Sequence, residues 1–238
     1  MDERGNRVIR GTPIGERFTQ CTFENFEVTN SNREAYEACR RLAAGGKQGV
    51  VIRGSPGLGK THLLVALMKE FDSRHSHALS DGDAREELIQ VPSASELIAS
   101  FGDLSSEGPS APSLSTREIA SESHIEYWPL LDLVCDLRLD IRQGSSETSY
   151  RCRHCDLLVL DDFGAERASD FVLEELERIV DSRYRTMKLT AVATNLDFKK
   201  ITAKYGQRAI SRWAGSCEGV TIHGTDRRLL TPRKRIEE

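Results

Sequence analysis

Long apolar runs are missing from this chain of 238 residues. No stretch approaches the roughly 20 apolar residues that span a bilayer, and no charged-then-apolar leader opens the chain, so a cytoplasmic protein with no membrane partner is expected. Cysteine is scarce: 6 residues are too few for a secreted disulfide scaffold, and reduced thiols are expected. A basic surplus is also missing, since the formal net charge is -4. Any nucleic-acid partner must therefore meet a local basic patch.

Three stretches lack the apolar periodicity of a folded core. Residues 1–17 are polar and mixed in charge, which predicts a flexible N-terminal arm. A stretch rich in serine, glycine and proline, about residues 102–123, predicts an exposed insertion. Residues 231–238 form a short basic tail, which favours a solvated end over contact with nucleic-acid phosphates. The remaining chain is long enough for one large domain.

Short apolar runs alternate with segments of helical spacing. The predicted strands are Gly49–Arg53, Cys155–Asp162, Leu189–Thr194 and Val220–Ile222. The predicted helices are Asn32–Ala44, His62–Phe71, Trp128–Ile141, a helix from the Ser169 cap to about Arg185, and Phe198–Ala214. A polar break is predicted over residues 142–151. This alternation is typical of an α/β fold with a parallel sheet.

The first predicted strand runs into the spacing of a P-loop, G-x-x-x-x-G-K-[ST]. The loop consists of Gly54, Ser55, Pro56, Gly57, Leu58, Gly59, Lys60 and Thr61, and with His62 it is the predicted nucleotide-binding segment. Glycines let backbone N–H groups point at a phosphate chain, and the helix N-terminus favours its negative charge. Lys60 is expected to reach the β- and γ-phosphates, and Thr61 to bind Mg²⁺. The flanking strand and helix argue against a plain glycine-rich turn.

Two carboxylates end the predicted strand Cys155–Asp162. Asp161 is expected on the Mg²⁺ side, and Asp162 is expected to polarise the attacking water as a general base. The sequence leaves open whether Asp162 or Glu166 contacts this water. Asn195, at the end of another strand, is a candidate to position the same water, although an asparagine after a strand is also a common turn former. The P-loop upstream disfavours a merely acidic turn at Asp161 and Asp162.

These motifs, in this order, resemble those of the AAA+ ATPases of the DnaC-type helicase-loader and IstB-type transposition-helper group. The matching runs are Thr22–Phe26, Gly54–Leu63, Leu157–Glu166, Ala193–Leu196, Gly206–Arg212 and Gly224–Arg228. The likeness spans about residues 18–228 apart from the Ser-rich insertion, which is longer than expected for the family. The implied fold is an AAA+ ATPase domain over 18–230, a three-layer α/β P-loop core with a parallel central sheet and little or no separate lid domain.

The resemblance implies roles for three arginines and one asparagine. Asn195 resembles the sensor-1 residue and Arg228 a sensor-2 arginine. Arg208 resembles an arginine finger given to the γ-phosphate of a neighbouring subunit, with Arg212 as its rival. Without the resemblance, solvated basic residues on helix faces would be the simpler interpretation. A finger that acts in trans requires self-assembly into a ring, spiral or filament, and the family also implies single-stranded DNA in the pore of that assembly.

The sequence therefore predicts an ATPase that binds ATP and Mg²⁺, assembles, and acts in DNA replication as a helicase loader. Single-stranded DNA and a replicative helicase are the expected partners. A transposition helper, with a transposase as partner, is the alternative within the family. Outside it, the alternatives are a nucleotide-switched binding module, which would survive loss of Asp162, and a P-loop kinase, which would not need Asn195 and Arg208 in this order.

Cys152 and Cys155 have the spacing of half a zinc site or of a redox pair. No second pair lies at zinc-finger spacing, so Cys135 and Cys217 would have to converge on them. Because Cys155 begins the apolar strand, buried structural thiols are the favoured interpretation.

Overall fold

The structure is a computed structural model that describes residues 10–46, 48–80, 124–166 and 169–230. The predicted Ser-rich insertion 102–123 and basic tail 231–238 lie outside these residues. Within the predicted arm 1–17, Arg10–Gly11 form an edge strand, and the Thr12 N–H donates to the Tyr127 carbonyl at 2.9 Å. This part of the arm is therefore held by backbone hydrogen bonds, which its polar composition could not indicate.

One sheet, in the part of the chain that the structure describes, contains six parallel strands. They are β1 (Arg10–Gly11), β2 (Gly49–Gly54), β3 (Ile125–Pro129), β4 (Leu157–Phe163), β5 (Leu189–Thr194) and β6 (Cys217–Ile222). Their spatial order is β1-β3-β4-β5-β2-β6. Because β5 lies between β2 and β4, the carboxyl ends of these three strands share one edge of the sheet, where parallel α/β sheets bind their ligands. The predicted α/β fold with a parallel sheet is confirmed.

Helices cover both faces of the sheet. They are α1 (Arg33–Ala43), α2 (Lys60–Ser80), α3 (Leu130–Gln143), α4 (Glu147–His154), α5 (Asp170–Arg185), α6 (Phe198–Ser216) and α7 (Arg227–Leu230). Alternate residues of β4 enter two separate apolar clusters: Leu157 and Val159 pack with α1 and α2, whereas Leu158 and Leu160 pack with α3, α5 and α6. This period of two produces the three layers. None of the helices described is long and apolar enough to cross a membrane.

The prediction of one helix over Trp128–Ile141 is wrong at its start. Strand β3 continues to Pro129, and α3 begins at Leu130. The strand was hidden by Glu126, the charged second residue of β3, whose side chain is 0% exposed. Two hydrogen bonds from Arg151, at 3.0 and 2.8 Å, and one from the Trp128 indole at 3.1 Å satisfy its carboxylate. Burial of this charge is thus possible only because of a partner distant in sequence.

The predicted polar break over residues 142–151 is also wrong in part, because it contains the start of α4. The buried residues of α4 are Thr148, Ser149 and Cys152, so the helix has no apolar stripe to reveal it. The Ser149 hydroxyl instead donates to Glu175 on α5 at 2.8 Å. The predicted helix His62–Phe71 is longer than expected and runs from Lys60 to Ser80 as α2.

Candidate active site

The P-loop connects the carboxyl end of β2 to the first turn of α2. Gly57 and Gly59 have φ angles of +75° and +88°, which favour glycine. A Cβ at Gly57 would lie 1.6 Å from a carboxylate oxygen of Asp226, and one at Gly59 would lie 2.9 Å from the Phe26 ring. Both the backbone conformation and the close neighbours therefore require glycine here. Lys60 and Thr61 are the first residues of α2, so their side chains start at a helix N-terminus.

A cleft of about 600 Å³ lies over this loop. Its walls are Arg17, Phe18, Cys21, Asn25, Phe26, Glu27, Pro56, Gly57, Gly59, Lys60, Thr61, His62, Asp162, Asn195, Arg227 and Arg228. Most of the predicted site residues thus meet in one cavity. Leu58 is buried beneath the loop instead, and Gly54 and Ser55 contribute backbone carbonyls.

The Lys60 ammonium is the centre of a polar network. It donates to the carbonyls of Gly54 at 2.9 Å and Ser55 at 2.8 Å, and to the Asn195 side-chain oxygen at 2.7 Å. The Asn195 amide nitrogen in turn donates to an Asp162 carboxylate oxygen at 3.4 Å. Asn195 therefore bridges the P-loop lysine and the second carboxylate of β4. The sequence placed both residues at strand ends, but this contact depends on the order of β2, β5 and β4.

Burial lowers the pKa of Lys60, because removal from water disfavours the ammonium form. The carboxylates of Asp162 and Asp161 oppose this shift, and the positive charge of Arg228 adds to it. An anionic phosphate chain in the cleft would supply the negative charge that favours the ammonium.

Asp161 is buried and receives hydrogen bonds from three sides. The Thr61 hydroxyl donates to its carboxylate, as do the Asp162 N–H at 2.9 Å and the Tyr127 hydroxyl at 3.3 Å. Burial raises the pKa of Asp161, the three hydrogen bonds lower it, and the charge of Asp162 raises it further. A carboxylate and a hydroxyl in contact are hard oxygen donors of the kind that Mg²⁺ takes, so Thr61 and Asp161 fit the predicted metal.

Tyr127 is a site residue that the sequence did not reveal, because β3 was not predicted. In the sheet, Tyr127 pairs with Val159, and Pro129 pairs with Asp161. Residues 159 and 161 face the same side of β4, which brings the Tyr127 hydroxyl to the Asp161 carboxylate.

Asp162 and Glu166, the two carboxylates that the sequence left open as contacts of the attacking water, point to different places. Asp162 lines the cleft and has an exposed side chain and a φ of +48°, unusual for a residue other than glycine. Glu166 is buried away from the cleft, where its carboxylate contacts Lys204 and Tyr205 of α6. Of the two, only Asp162 is placed beside the P-loop.

The N-terminal segment and α7 close the other sides of the cleft. A His62 ring nitrogen lies 2.9 Å from the Thr22 carbonyl, and the His62 ring packs edge-on against Phe26 at 5.0 Å. The N–H of Arg227 donates to the Gly57 carbonyl at 3.2 Å. Arg228 follows it and faces the cleft.

Arg208 and Arg212 are not part of the cleft of their own chain. Both lie on α6 beyond Gly206, where the helix is interrupted by φ +83° and ψ 158°. The Arg208 side chain is 80% exposed, with its guanidinium 3.6 Å from Glu177. Arg212 is 20% exposed and pairs with Glu177 at 3.5 Å and Asp181 at 2.6 Å. The two candidate fingers therefore occupy one surface but differ in how firmly they are held.

Cys152 and Cys155 are buried at the junction of α4 and β4. Burial raises the pKa of both thiols, that of Cys155 to about 11, although the guanidinium of Arg183 lies 3.2 Å from the Cys155 sulfur. Arg183 also donates to the carbonyls of both cysteines, at 2.8 and 2.9 Å. Within residues 10–46, 48–80, 124–166 and 169–230, no group of three or more His, Cys, Asp or Glu side chains is arranged to hold a metal ion. The pair has the surroundings of packed thiols.

This fold and cleft are those of a P-loop nucleotide-binding domain. The family model of the bacterial DnaA ATPase domain matches residues 18–79. The replicative helicase loader DnaC of Buchnera aphidicola subsp. Acyrthosiphon pisum (strain APS) is 24% identical over 210 residues, which cover 87% of this chain and 68% of that protein.

Solved structures show the same fold. The crystal structure of the DnaC helicase loader has a TM-score of 0.62 and 19% identity, over 87% of this chain and 99% of that one. The replication initiator DnaA bound to AMPPCP and single-stranded DNA has a TM-score of 0.60 and 23% identity, over 87% and 51%. Together these findings confirm the predicted likeness to DnaC-type AAA+ proteins.

Proposed function

We propose that this protein binds ATP with Mg²⁺, hydrolyses it, and uses the cycle to load a replicative helicase onto single-stranded DNA. The observation that carries the hydrolytic part is the Lys60, Asn195 and Asp162 network inside the P-loop cleft, next to the Thr61 and Asp161 contact. A P-loop that only bound nucleotide would not need a carboxylate and an amide turned toward the γ-phosphate position.

Each residue of the network has a distinct part in the proposed reaction. The P-loop N–H groups cradle the phosphates, and Lys60 exchanges its carbonyl and Asn195 partners for β- and γ-phosphate oxygens. Thr61, on the Asp161 side, would hold Mg²⁺, and the bound ion would neutralise the developing phosphate charge. Asp162 accepts the proton of the attacking water, which the Asn195 amide orients.

Arg208 completes the site of a neighbouring subunit in this proposal. Its exposure and its place outside its own cleft support action in trans, and such action requires a ring, spiral or filament. Arg228, at the mouth of its own cleft, acts in cis as a sensor-2 arginine. Arg212 is the rival finger, and its pairing with Glu177 and Asp181 would have to break for it to reach a neighbour.

The proposed partners of this protein are inferred from the proteins to which it is similar. The DnaC relative carries the name of a replicative helicase loader, and a DnaA structure with the same fold was solved with AMPPCP and single-stranded DNA. A helicase and single-stranded DNA are therefore the proposed partners. Transfer of a replicative helicase onto a closed single-stranded circle measures this directly, whereas stimulation of a transposase would point to the transposition-helper alternative.

The hydrolysis test measures the ATPase rate with and without single-stranded DNA over a range of protein concentrations. We compare the unaltered protein with Lys60→Ala, Arg208→Ala and Arg212→Ala, and with Lys200→Ala as a control on an exposed lysine of α6. Lys60→Ala should abolish hydrolysis at every concentration. Arg208→Ala should retain nucleotide binding but lose the rate that assembly adds.

Two outcomes would contradict the proposal. If both arginine variants hydrolyse ATP normally at concentrations where the protein assembles, no finger acts in trans. If DNA changes neither assembly nor turnover, a nucleotide switch or a small-molecule kinase becomes the better explanation, and retention of function in Asp162→Asn would single out the switch.

A further inference from the structure

Glu166, Lys204 and Tyr205 form a polar cluster, here called the clamp, that the proposed reaction does not use. The Lys204 ammonium ion-pairs with the Glu166 carboxylate at 2.9 Å and donates to the Gly164 carbonyl at 2.8 Å and to the Glu166 carbonyl. The Tyr205 hydroxyl donates to the same carboxylate oxygen as the ion pair. The clamp thus fastens the loop that follows Asp162 to the first part of α6.

The clamp is a costly way to join two elements. Glu166 is buried, and its second carboxylate oxygen has no hydrogen-bond partner within the described residues. Removing a carboxylate from water is unfavourable, and an apolar contact would join the elements at a lower cost in free energy. Such a contact already exists, because the Phe163 ring lies 4.5 Å from Tyr205 and 4.7 Å from Trp213. Packing alone does not account for the buried charge.

One end of the clamped loop is connected to the P-loop lysine. The loop begins at Asp162, whose carboxylate is joined through Asn195 to Lys60, the residue that must change partners when phosphates bind. The Asp162 backbone is in a left-handed conformation, and its carbonyl accepts the Ala165 N–H at 3.1 Å in a tight turn. A change in the position of Asp162 therefore moves the residues that follow it, because a short, hydrogen-bonded turn joins them rather than a flexible loop.

The other end of the clamp leads to the candidate fingers. Gly206 follows Tyr205 directly and interrupts α6 with backbone angles that favour glycine. Beyond this kink, α6 carries Arg208 and Arg212. The clamp holds the part of α6 before the kink, so a shift of the clamped loop changes the direction from which the second part of the helix presents its arginines.

We propose that the clamp positions the finger arginine of α6 according to the nucleotide bound in its own cleft, so that an ATP-filled subunit presents its finger to its neighbour. This inference rests on the proposed finger in trans. The clamp residues are positioning residues, since none of them lines the cleft.

The experiment is a complementation assay between two full-length variants that are inactive alone. The acceptor has an intact cleft but lacks the finger. It is Arg208→Ala or Arg212→Ala, depending on which of the two variants loses assembly-dependent hydrolysis. The donor is Asp162→Asn, which is expected to bind ATP and supply a finger without hydrolysing, because the new amide oxygen can still accept the Asn195 hydrogen bond. Two further donors, called the clamp donors, carry a second substitution besides Asp162→Asn: Tyr205→Phe in one and Lys204→Met in the other. Lys200→Met is the matched control, because Lys200 lies on the same helix, is 71% exposed, and pairs with its near neighbour Asp197 at 3.6 Å.

The clamp donors should support at most about one fifth of the rate that the plain donor supports, whereas the Lys200→Met donor should support the full rate. Their affinity for a fluorescent ATP analogue should stay within about twofold of the plain donor, which a merely damaged cleft or fold would not allow. Tyr205→Phe removes one hydroxyl and keeps the ring on Phe163, so it tests the clamp with little risk to folding.

The inference is overturned if both clamp donors complement as well as the plain donor. It is equally overturned if their loss of rate is matched by a loss of ATP affinity or of thermal stability. If the plain donor and acceptor fail to complement each other, the finger in trans is wrong, and the inference falls with it. The first two results leave the finger assignment standing.

Discussion

Tyr127 shows how one hydroxyl from a neighbouring strand can set the geometry of Asp161, the carboxylate proposed to lie on the Mg²⁺ side. Its ring belongs to the core cluster between the sheet, α1 and α2, and its hydroxyl reaches Asp161 at 3.3 Å. The ring therefore anchors the hydroxyl, and the hydroxyl helps to orient the carboxylate toward Thr61. Partners of this kind typically change metal affinity by 10- to 100-fold.

Tyr127→Phe should raise the Mg²⁺ concentration needed for half-maximal ATP binding by about tenfold, because it removes only the hydroxyl that orients Asp161. The measurement is a Mg²⁺ titration of nucleotide-analogue fluorescence, which needs no turnover. Tyr184→Phe, on an exposed tyrosine of α5, is the matched control. An unchanged Mg²⁺ requirement in Tyr127→Phe would show that the hydroxyl has no part in the site.

Gly57→Ala should abolish tight nucleotide binding. The added Cβ would lie 1.6 Å from the Asp226 carboxylate on a backbone with φ +75°, so the loop must move away from Asp226 and lose its phosphate-binding shape. Analogue affinity should fall by tenfold or more. Gly144→Ala is the control, since Gly144 also has a positive φ of +65° but has no atom within 4 Å of the added carbon. Equal losses in both variants would make backbone strain, rather than the Asp226 contact, the cause.

At the scale of elements, buried charges join pieces that lie apart in the sequence. Arg151 of α4 pairs with Glu126 of β3, and Arg183 of α5 binds carbonyls where α4 meets β4. Both elements that the sequence obscured, β3 and α4, are held by the first of these pairs. Their residue patterns did not predict a strand and a helix, because these two elements are buried through polar contacts between distant segments rather than through apolar stripes.

Arg151→Met should destabilise the fold by about 3 kcal/mol, because it leaves the Glu126 carboxylate buried without its ionic partner. Urea unfolding measures the loss. The double variant Glu126→Gln with Arg151→Met should recover a large part of it, since no buried charge then remains. If the double variant is as unstable as Arg151→Met alone, the packing of the arginine stem rather than the charge pair is what matters.

At the scale of the whole molecule, a net charge of -4 does not oppose DNA binding. An assembly can bind a single strand through a small patch repeated on several subunits. The surface of α4 offers such a patch. The exposed Tyr150 ring stacks on the His154 ring, with 4.0 Å between the ring centroids, and the Arg153 guanidinium lies 6.0 Å from the centroid of the Tyr150 ring. Exposed aromatic rings beside basic groups are how many proteins hold single strands.

Tyr150→Ala should weaken binding of single-stranded DNA by about tenfold, because base stacking on an aromatic ring contributes about 1–3 kcal/mol. Fluorescence anisotropy with a labelled oligonucleotide, in the presence of a non-hydrolysable ATP analogue, measures the affinity. Tyr184→Ala is the control for loss of an exposed ring elsewhere. Equal affinity of the Tyr150→Ala and unaltered proteins would exclude α4 from the DNA-binding surface.

The sequence alone determined the P-loop, the carboxylates at the end of β4 and the parallel α/β class. These depend on local spacing: glycines that allow a loop conformation, and apolar runs that predict strands buried on both faces. Tertiary structure alone decided which side chains meet. The Asn195 bridge between Lys60 and Asp162 follows from β5 lying between β2 and β4, and the Tyr127 contact from the pairing of β3 with β4.

The same division explains Glu166. Its sequence neighbours suggested a place near the attacking water. In the structure, the Glu166 side chain is instead buried against Lys204 and Tyr205 of α6. A carboxylate beside a glycine turn carries no local sign of the direction in which it points. That direction is decided by a cation 38 residues further along the chain, and only folding brings the two charges together.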